Sequence, residues 1–206
     1  MTLILVIGTK RFSSWSLRPW LALKATGAPF EEVEIALRQP GTKAEILKWS
    51  AAGKVPVLID DGHLVWDSLA ICEYLAECFP AAGLWPDERS ARAVARSVAA
   101  EMHAGFPVLR QQCPMDVLLD EALAEPSPEL LAEIARVDAL WSACRGHFGA
   151  DGPFLFGRFT IADAMYAPVV TRFATYHLPL GPVAAAYRDA VLAWPALAEW
   201  IAAARD

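Results

Sequence analysis

Charge is scarce in this 206-residue chain: only 20% of its residues are Asp, Glu, Lys or Arg, and 18 basic residues face 24 acidic ones, for a formal charge of −6. That balance argues against nucleic acid or an anionic membrane as partner, because both are held by Lys and Arg neutralising phosphates, although a local basic patch can survive a negative total. Cysteine is sparse as well. Cys72, Cys78, Cys113 and Cys144 show no CxxC spacing. They are expected to be reduced thiols of a cytoplasmic protein rather than disulfides or a metal site. No apolar stretch reaches the roughly 20 residues that span a bilayer. The N-terminal run "LILVIG" (3–8) has no basic segment ahead of it, and it falls short of the roughly 7 to 15 apolar residues of a secretory core. It reads as a buried strand. Internal repeats and low-complexity tracts are missing too.

What is present is enough apolar residue, 55% of the chain, to bury a large core. The first eighty residues alternate short β-like runs with helical ones. After "LILVIG", residues 14–26 space Leu17, Trp20, Leu21 and Leu23 along one broad apolar face, and Gly27 suits the position just past a helix end. "FEEVEIAL" (30–37) alternates like a strand, and 42–49 make a short helical run. "VPVLI" and "HLVW" then flank Asp60, Asp61 and Gly62, a strong hairpin signal, and "SLAICEYLAECF" (68–79) is a helix stopped by Pro80. The order βαβαββα predicts a small α/β domain over 1–80, with a βαβ crossover and a hairpin supplying an antiparallel edge. After a linker at 81–87, residues 88–206 predict an all-α domain. It includes long helical runs at 88–112 and 128–146, with no recurring β pattern. Ser127-Pro128 is a capped helix start, Thr160 with Asp163 is a capping-box variant, and Pro107 and Pro168 predict kinks.

Three local features of the first domain could carry chemistry. The first is the serine cluster of "RFSSWSLRPWLALKATG" (11–27) at a strand-to-helix turn. Free N–H groups and the positive helix end favour an anion there, although one capping serine and two solvated ones would give the same text. The second is "KVPVL" (54–58). Pro56 cannot be an ordinary mid-sheet residue. A trans proline at a strand start satisfies the spacing. A cis Val55–Pro56 bond would turn the Val55 backbone outward, free to pair with an extended peptide-like ligand. The third is Asp67-Ser68, where either residue could cap the next helix and Ser68 could hold a carboxylate.

The order and spacing of these features, followed by a helical half, resemble the cytosolic glutathione transferases over nearly the whole chain. The resemblance implies a thioredoxin-like first domain and glutathione as co-substrate. It assigns Val55 and Pro56 to the cysteinyl backbone, Asp67 and Ser68 to the γ-glutamyl end, and Lys54 to the glycyl carboxylate. "FLFGRFTIADAMYAP" (154–168) is similar to the family's second-domain folding motif. Members activate the glutathione thiol with Tyr, Ser or Cys at the first turn. This chain has neither Tyr nor Cys there, and "SSWS-x-R" is similar to the "SSCS-x-R" run of the zeta class. The resemblance therefore implies a serine-type enzyme with Ser13 as the activating residue and Ser14 as runner-up. Lowering a thiol pKa from about 8.5 by roughly 2 units takes about 2.7 kcal/mol, within reach of one charge-assisted hydrogen bond plus a helix dipole.

Trp15 stands where the zeta pattern has Cys, so it either walls the site or packs beneath it. Met102, His103, Phe106 and Arg110 fall at roughly helical spacing and could wall a co-substrate pocket, with Arg110 facing an acidic electrophile. Core packing would explain the same spacing. His63 lies at the hairpin, while His147 and His177 suggest no partner. The reading is a transferase joining glutathione to a hydrophobic electrophile, as a cytoplasmic homodimer. Alternatives on the same fold are a glutathione-dependent isomerase or peroxidase, or a non-catalytic binding or assembly module.

Overall fold

The computed structural model describes residues 2–205. Its first part is a four-stranded mixed sheet of β1 (Leu3–Gly8), β2 (Glu31–Ile35), β3 (Val57–Asp60) and β4 (His63–Trp66), in the order β2-β1-β3-β4. β1 and β2 run parallel, with Val6 opposite Val33. The helix α1 (Ser14–Thr26) crosses between them, as the alternation of elements required. β3 is antiparallel to both β1 and β4. The hairpin between β3 and β4 turns on Asp61 (φ 45°) and Gly62 (φ 93°). Two successive left-handed residues give a turn whose twist matches the strands. β1 is central and buried on both faces, which explains why it reads as an unbroken apolar run. β2 is an edge strand and alternates with exposed glutamates.

Two further helices, α2 (Thr42–Leu47) and α3 (Ser68–Cys78), complete this part, and a 3₁₀ turn at Pro80–Ala82 leads out of it. Every residue of α1 from Ser16 to Leu23 is buried. The helix is covered on the side away from the sheet by α7 (Ile161–Thr175), itself nearly all buried. α1 ends at Gly27 in the left-handed conformation (φ 71°), its N–H bonded to the Lys24 carbonyl.

The remaining helices are α4 (Arg89–Ala104), α5 (Pro107–Gln112), α6 (Pro128–Phe148), α8 (Pro182–Leu192) and α9 (Pro195–Ala203). The expected run over 88–112 is broken rather than kinked. Gly105 is extended, Phe106 is left-handed (φ 56°), and Pro107 opens a new helix. A proline lacks the N–H of the ladder and disfavours right-handed α in the residue before it, so the chain restarts with proline in its preferred first-turn place. Pro168 is tolerated inside α7. Its carbonyl is held by the Thr171 hydroxyl and the Arg172 guanidinium, both at 2.9 Å. The helical half also contains two isolated β-bridges, Phe154 with Gly157 and Phe156 with Arg158, which the sequence pattern did not announce. They sit in the loop before α7, where Asp163 closes a capping box with Thr160 and also accepts the Leu155 N–H at 3.0 Å.

Candidate functional site

The cleft that joins the two parts has a volume of about 760 Å³ and is lined by Trp15, Ile46, the segment 52–56, Trp66, Asp67, Ser68 and His103. Four separate pieces of the first part therefore converge: the head of α1, Ile46 of α2, the turn before β3 and the junction of β4 with α3. His103, from the last turn of α4, faces them from the helical part.

The Val55–Pro56 bond is cis, the less common of the two readings the spacing allowed. Val55 lies two residues before β3 and makes no backbone hydrogen bond within the described chain. Lys54 is exposed beside it and has no ion-pair partner among the described residues. The question of which residue caps α3 is resolved in favour of Asp67. Its Oδ1 accepts from the N–H groups of Leu69 (2.9 Å) and Ala70 (3.2 Å). Asp67 holds φ 75° and ψ 131°, outside the left-handed α well, a sparsely populated conformation of the kind that clusters at binding sites. Ser68, freed from capping, has a buried hydroxyl with no partner. The other Asp67 oxygen lies 3.2 Å from Nε2 of His103, so one carboxylate ends a helix and ties the two halves together.

The serine cluster has a more specific structure than one cap and two spares. Ser13 is the N-cap residue of α1, yet its side chain makes no capping bond. Its Oγ lies 2.7 Å from Oγ of Ser16, which in turn accepts the Gly8 N–H from the end of β1 at 3.0 Å. Ser14 is buried and its hydroxyl has no hydrogen-bond partner within the described chain. Neither Ser13 nor Ser14 lines the cleft. Trp15 does, and its other side is packed against Arg18, whose guanidinium carbon lies 4.1 Å from the indole centroid.

Of the five residues considered for a co-substrate pocket, Trp15 and His103 form one wall, with ring centroids 5.3 Å apart and nearly perpendicular, while Met102 is buried in the core. Phe106 packs on Tyr166 in the core instead, because the chain break at Gly105 redirects it. Arg110 is not among the residues lining the cleft; its guanidinium carbon lies 5.6 Å from the Trp15 ring. Two residues escaped sequence reasoning. Ser16 carried a signal, as the third serine of the cluster. Arg18 is the arginine of the "SSWS-x-R" run, but nothing in that run signals its burial, since an arginine on a helix is ordinarily a surface residue. All four cysteines are free thiols, and burial pushes those of Cys72, Cys113 and Cys144 upward, with Cys113 and Cys144 at about 11. None of these three is primed as a nucleophile. Among the described residues there is no group of three or more potential metal ligands, and no helix is long and apolar enough to cross a membrane.

Comparison with known proteins agrees with this geometry. Residues 12–78 match the glutathione S-transferase N-terminal domain, and 118–203 match the glutathione S-transferase C-terminal domain. The chain is 30% identical over 154 residues to hematopoietic prostaglandin D synthase of Gallus gallus, covering 72% of each protein. It is 28% identical over 172 residues to a probable maleylacetoacetate isomerase of Caenorhabditis elegans, covering 82% of this chain and 78% of that one. Among solved structures, it resembles a sphingomonad glutathione S-transferase complexed with glutathione, with a TM-score of 0.68, 26% identity and 98% of both chains covered. The chain belongs to the glutathione S-transferase family, and its fold is that family's: a small mixed sheet with helices, then a helical half.

Proposed function

We propose that the chain is a glutathione-dependent enzyme of serine type, with 1–80 as the glutathione-binding domain, 81–87 as linker and 88–206 as the helical domain. The observation that carries this reading is the convergence of Lys54, Val55, Asp67 and Ser68 on one cleft. Extended along it, glutathione would meet a cation for its glycyl carboxylate, an unpaired backbone segment for its cysteinyl amide, and a carboxylate and hydroxyl for its γ-glutamyl ammonium and carboxylate. Each group offered is the complement of the group received. Asp67 serves this role while shared with His103.

Ser13 then stabilises the thiolate. In the structure Ser13 donates to Ser16 Oγ, which also accepts the Gly8 N–H; when the Ser13 O–H turns to sulfur, Ser16 donates its own proton to Ser13 in exchange. Such a chain of donors polarises along its length. The thiol proton passes to solvent. The sulfur lone pair forms the C–S bond at an electrophilic carbon of a hydrophobic molecule, and the displaced electron pair leaves with the departing group. An isomerase is the second reading. It is supported by relatives named maleylacetoacetate isomerase, one of them from Rhizobium meliloti, 38% identical over 96 residues but aligned over only 45% of that protein. Trp15, in place of the zeta cysteine, weighs against it. A cytoplasmic homodimer fits the same reading, supported by Leu64 and Trp66 of β4, which are exposed on the sheet edge.

Calorimetric titration with reduced glutathione beside S-methylglutathione tests the site. Saturable binding of both is expected, with the thiol form alone weakened by Ser13→Ala. No heat at millimolar glutathione from folded protein would leave a family scaffold serving as a binding or assembly module. Maleylacetone, an organic hydroperoxide and a chlorinated aromatic, assayed side by side, separate isomerase, peroxidase and transferase.

A further inference from the structure

Arg18 is fully buried, and none of its three guanidinium nitrogens has a hydrogen-bond partner among the described residues. A guanidinium carries five N–H donors, and a buried charge is ordinarily paired. Arg172, also buried, shows what satisfaction looks like here: it donates to the carbonyls of Cys113 (2.8 Å) and Pro168 (2.9 Å). Arg18 has only the face of Trp15, and one cation–π contact does not replace five hydrogen bonds.

The surroundings make the deficit larger. Burial first, then repulsion from Arg172 and Arg110, push the Arg18 pKa down to about 9, and the only offsetting attractions come from Cys72 and Asp67. Neither is within hydrogen-bond reach of it, and Asp67 is already shared between the start of α3 and His103. Arg110 stands near the same indole. His103 adds a further orphan, since its Nδ1 is buried without a partner. Two guanidinium groups therefore flank the Trp15 indole, and the one carboxylate nearby, Asp67, is spent on the start of α3 and on His103. No acceptor is within hydrogen-bond reach of Arg18 among the described residues.

Access is through the cleft. Trp15 lines the cleft with one side and covers Arg18 with the other, and the Arg18 nitrogens touch no solvent while the indole is in place. We propose that Arg18, flanked by Arg110, is a covered subsite for one compact monoanionic group of carboxylate size, reached from the cleft when the Trp15 indole turns aside. A planar carboxylate matches the guanidinium fork with two parallel hydrogen bonds. A dianion would have to shed far more hydration to enter the same space. The carboxylate is either free in solution or carried on a larger molecule lying in the cleft. The site is separate from the groups assigned to glutathione, so its test needs no glutathione.

The full chain is titrated with formate (a free carboxylate) and with benzoate (a carboxylate on an apolar body), following the thermal midpoint and binding heat. Sodium sulfate at matched ionic strength reports screening alone. A saturable rise is expected in the wild type. It should weaken by about tenfold or more in Arg18→Met, the loss expected when charge-assisted hydrogen bonds are removed. It should strengthen in Trp15→Ala, where the cover is gone. Should Arg18→Met not fold, Arg18→Lys keeps the charge, loses the fork and should show a similar weakening. Response to both probes means a free anion suffices, and response to benzoate alone means the group arrives on a larger molecule. The proposal is overturned if neither probe saturates, if sulfate matches them, or if the Arg18 variants respond like the wild type.

Discussion

Ser13, Ser14 and Ser16 lie within one helical turn and have three different surroundings. Ser16 is bonded to the end of β1, Ser13 is bonded to Ser16, and Ser14 is buried without a partner. Their variants should separate accordingly. Ser13→Ala is expected to lower kcat/KM for glutathione conjugation by roughly 100-fold, the scale of losing one preorganised donor to a developing anion. Ser14→Ala should stay within about twofold, because single side chains outside the reacting geometry contribute little. Ser16→Ala should raise the pKa of the bound thiol, read from thiolate absorbance against pH, since Ser16 acts through Ser13. It should also destabilise the fold by about 1–3 kcal/mol, because the Gly8 N–H is left buried without its acceptor. A Ser13→Ala enzyme that conjugates at the wild-type rate would remove Ser13 from the mechanism.

At the scale of elements, the ends of helices are where local chemistry decides most. Gly27 has open space around its Cα but a φ of 71°. Gly27→Ala should therefore cost about 1 kcal/mol through backbone conformation alone, measured by urea unfolding. Asp163 is the opposite case, a fully buried carboxylate. Burial raises its pKa to about 6 despite hydrogen bonds from Leu155 and Thr160 that pull it down. The folded state thus holds the proton more tightly than the unfolded chain does. The stability from protonation is full below the unfolded value near pH 4 and is lost as pH rises through about 6. Asp163→Asn should flatten that fall in a pH series of unfolding midpoints, and an unchanged slope would assign it to another group. These ends were legible in advance because capping is read from residues three apart. The break at Gly105–Phe106 was half legible: Pro107 announced an interruption, but the left-handed Phe106 depends on what it packs against.

Across the whole molecule, α1 is the element that both halves share. It is packed between the sheet and α7, and Trp200 of α9 reaches back to donate its indole N–H to the Lys10 carbonyl at 2.9 Å. Arg11 and Asp116 add a bidentate pair at 2.7 and 2.8 Å. The halves should therefore unfold together, with far-UV dichroism and tryptophan fluorescence giving coincident urea transitions, and separate transitions would contradict a shared core. Trp200→Ala should cost about 3–5 kcal/mol as a large buried side chain. Lys24→Ala, which breaks the exposed pair with Glu199, should cost no more than about 0.5 kcal/mol.

The sequence by itself determined the order of elements in the first half, the helical character of the second, the hairpin turn, the Ser127 cap, the Thr160–Asp163 box and the family, because each is written in spacings of two to four residues or in a short local run. It also brought Lys54, Val55, Pro56, Asp67 and Ser68 forward as a set. Only the tertiary structure decided what those residues face. Phe106 went to the core because a chain break rotated it away, and Arg110 lies near the Trp15 ring without lining the cleft. Arg18 became the chain's most deeply buried cation because α1 is covered on both sides. Burial from both sides is a property of packing between distant segments, and no local pattern encodes it.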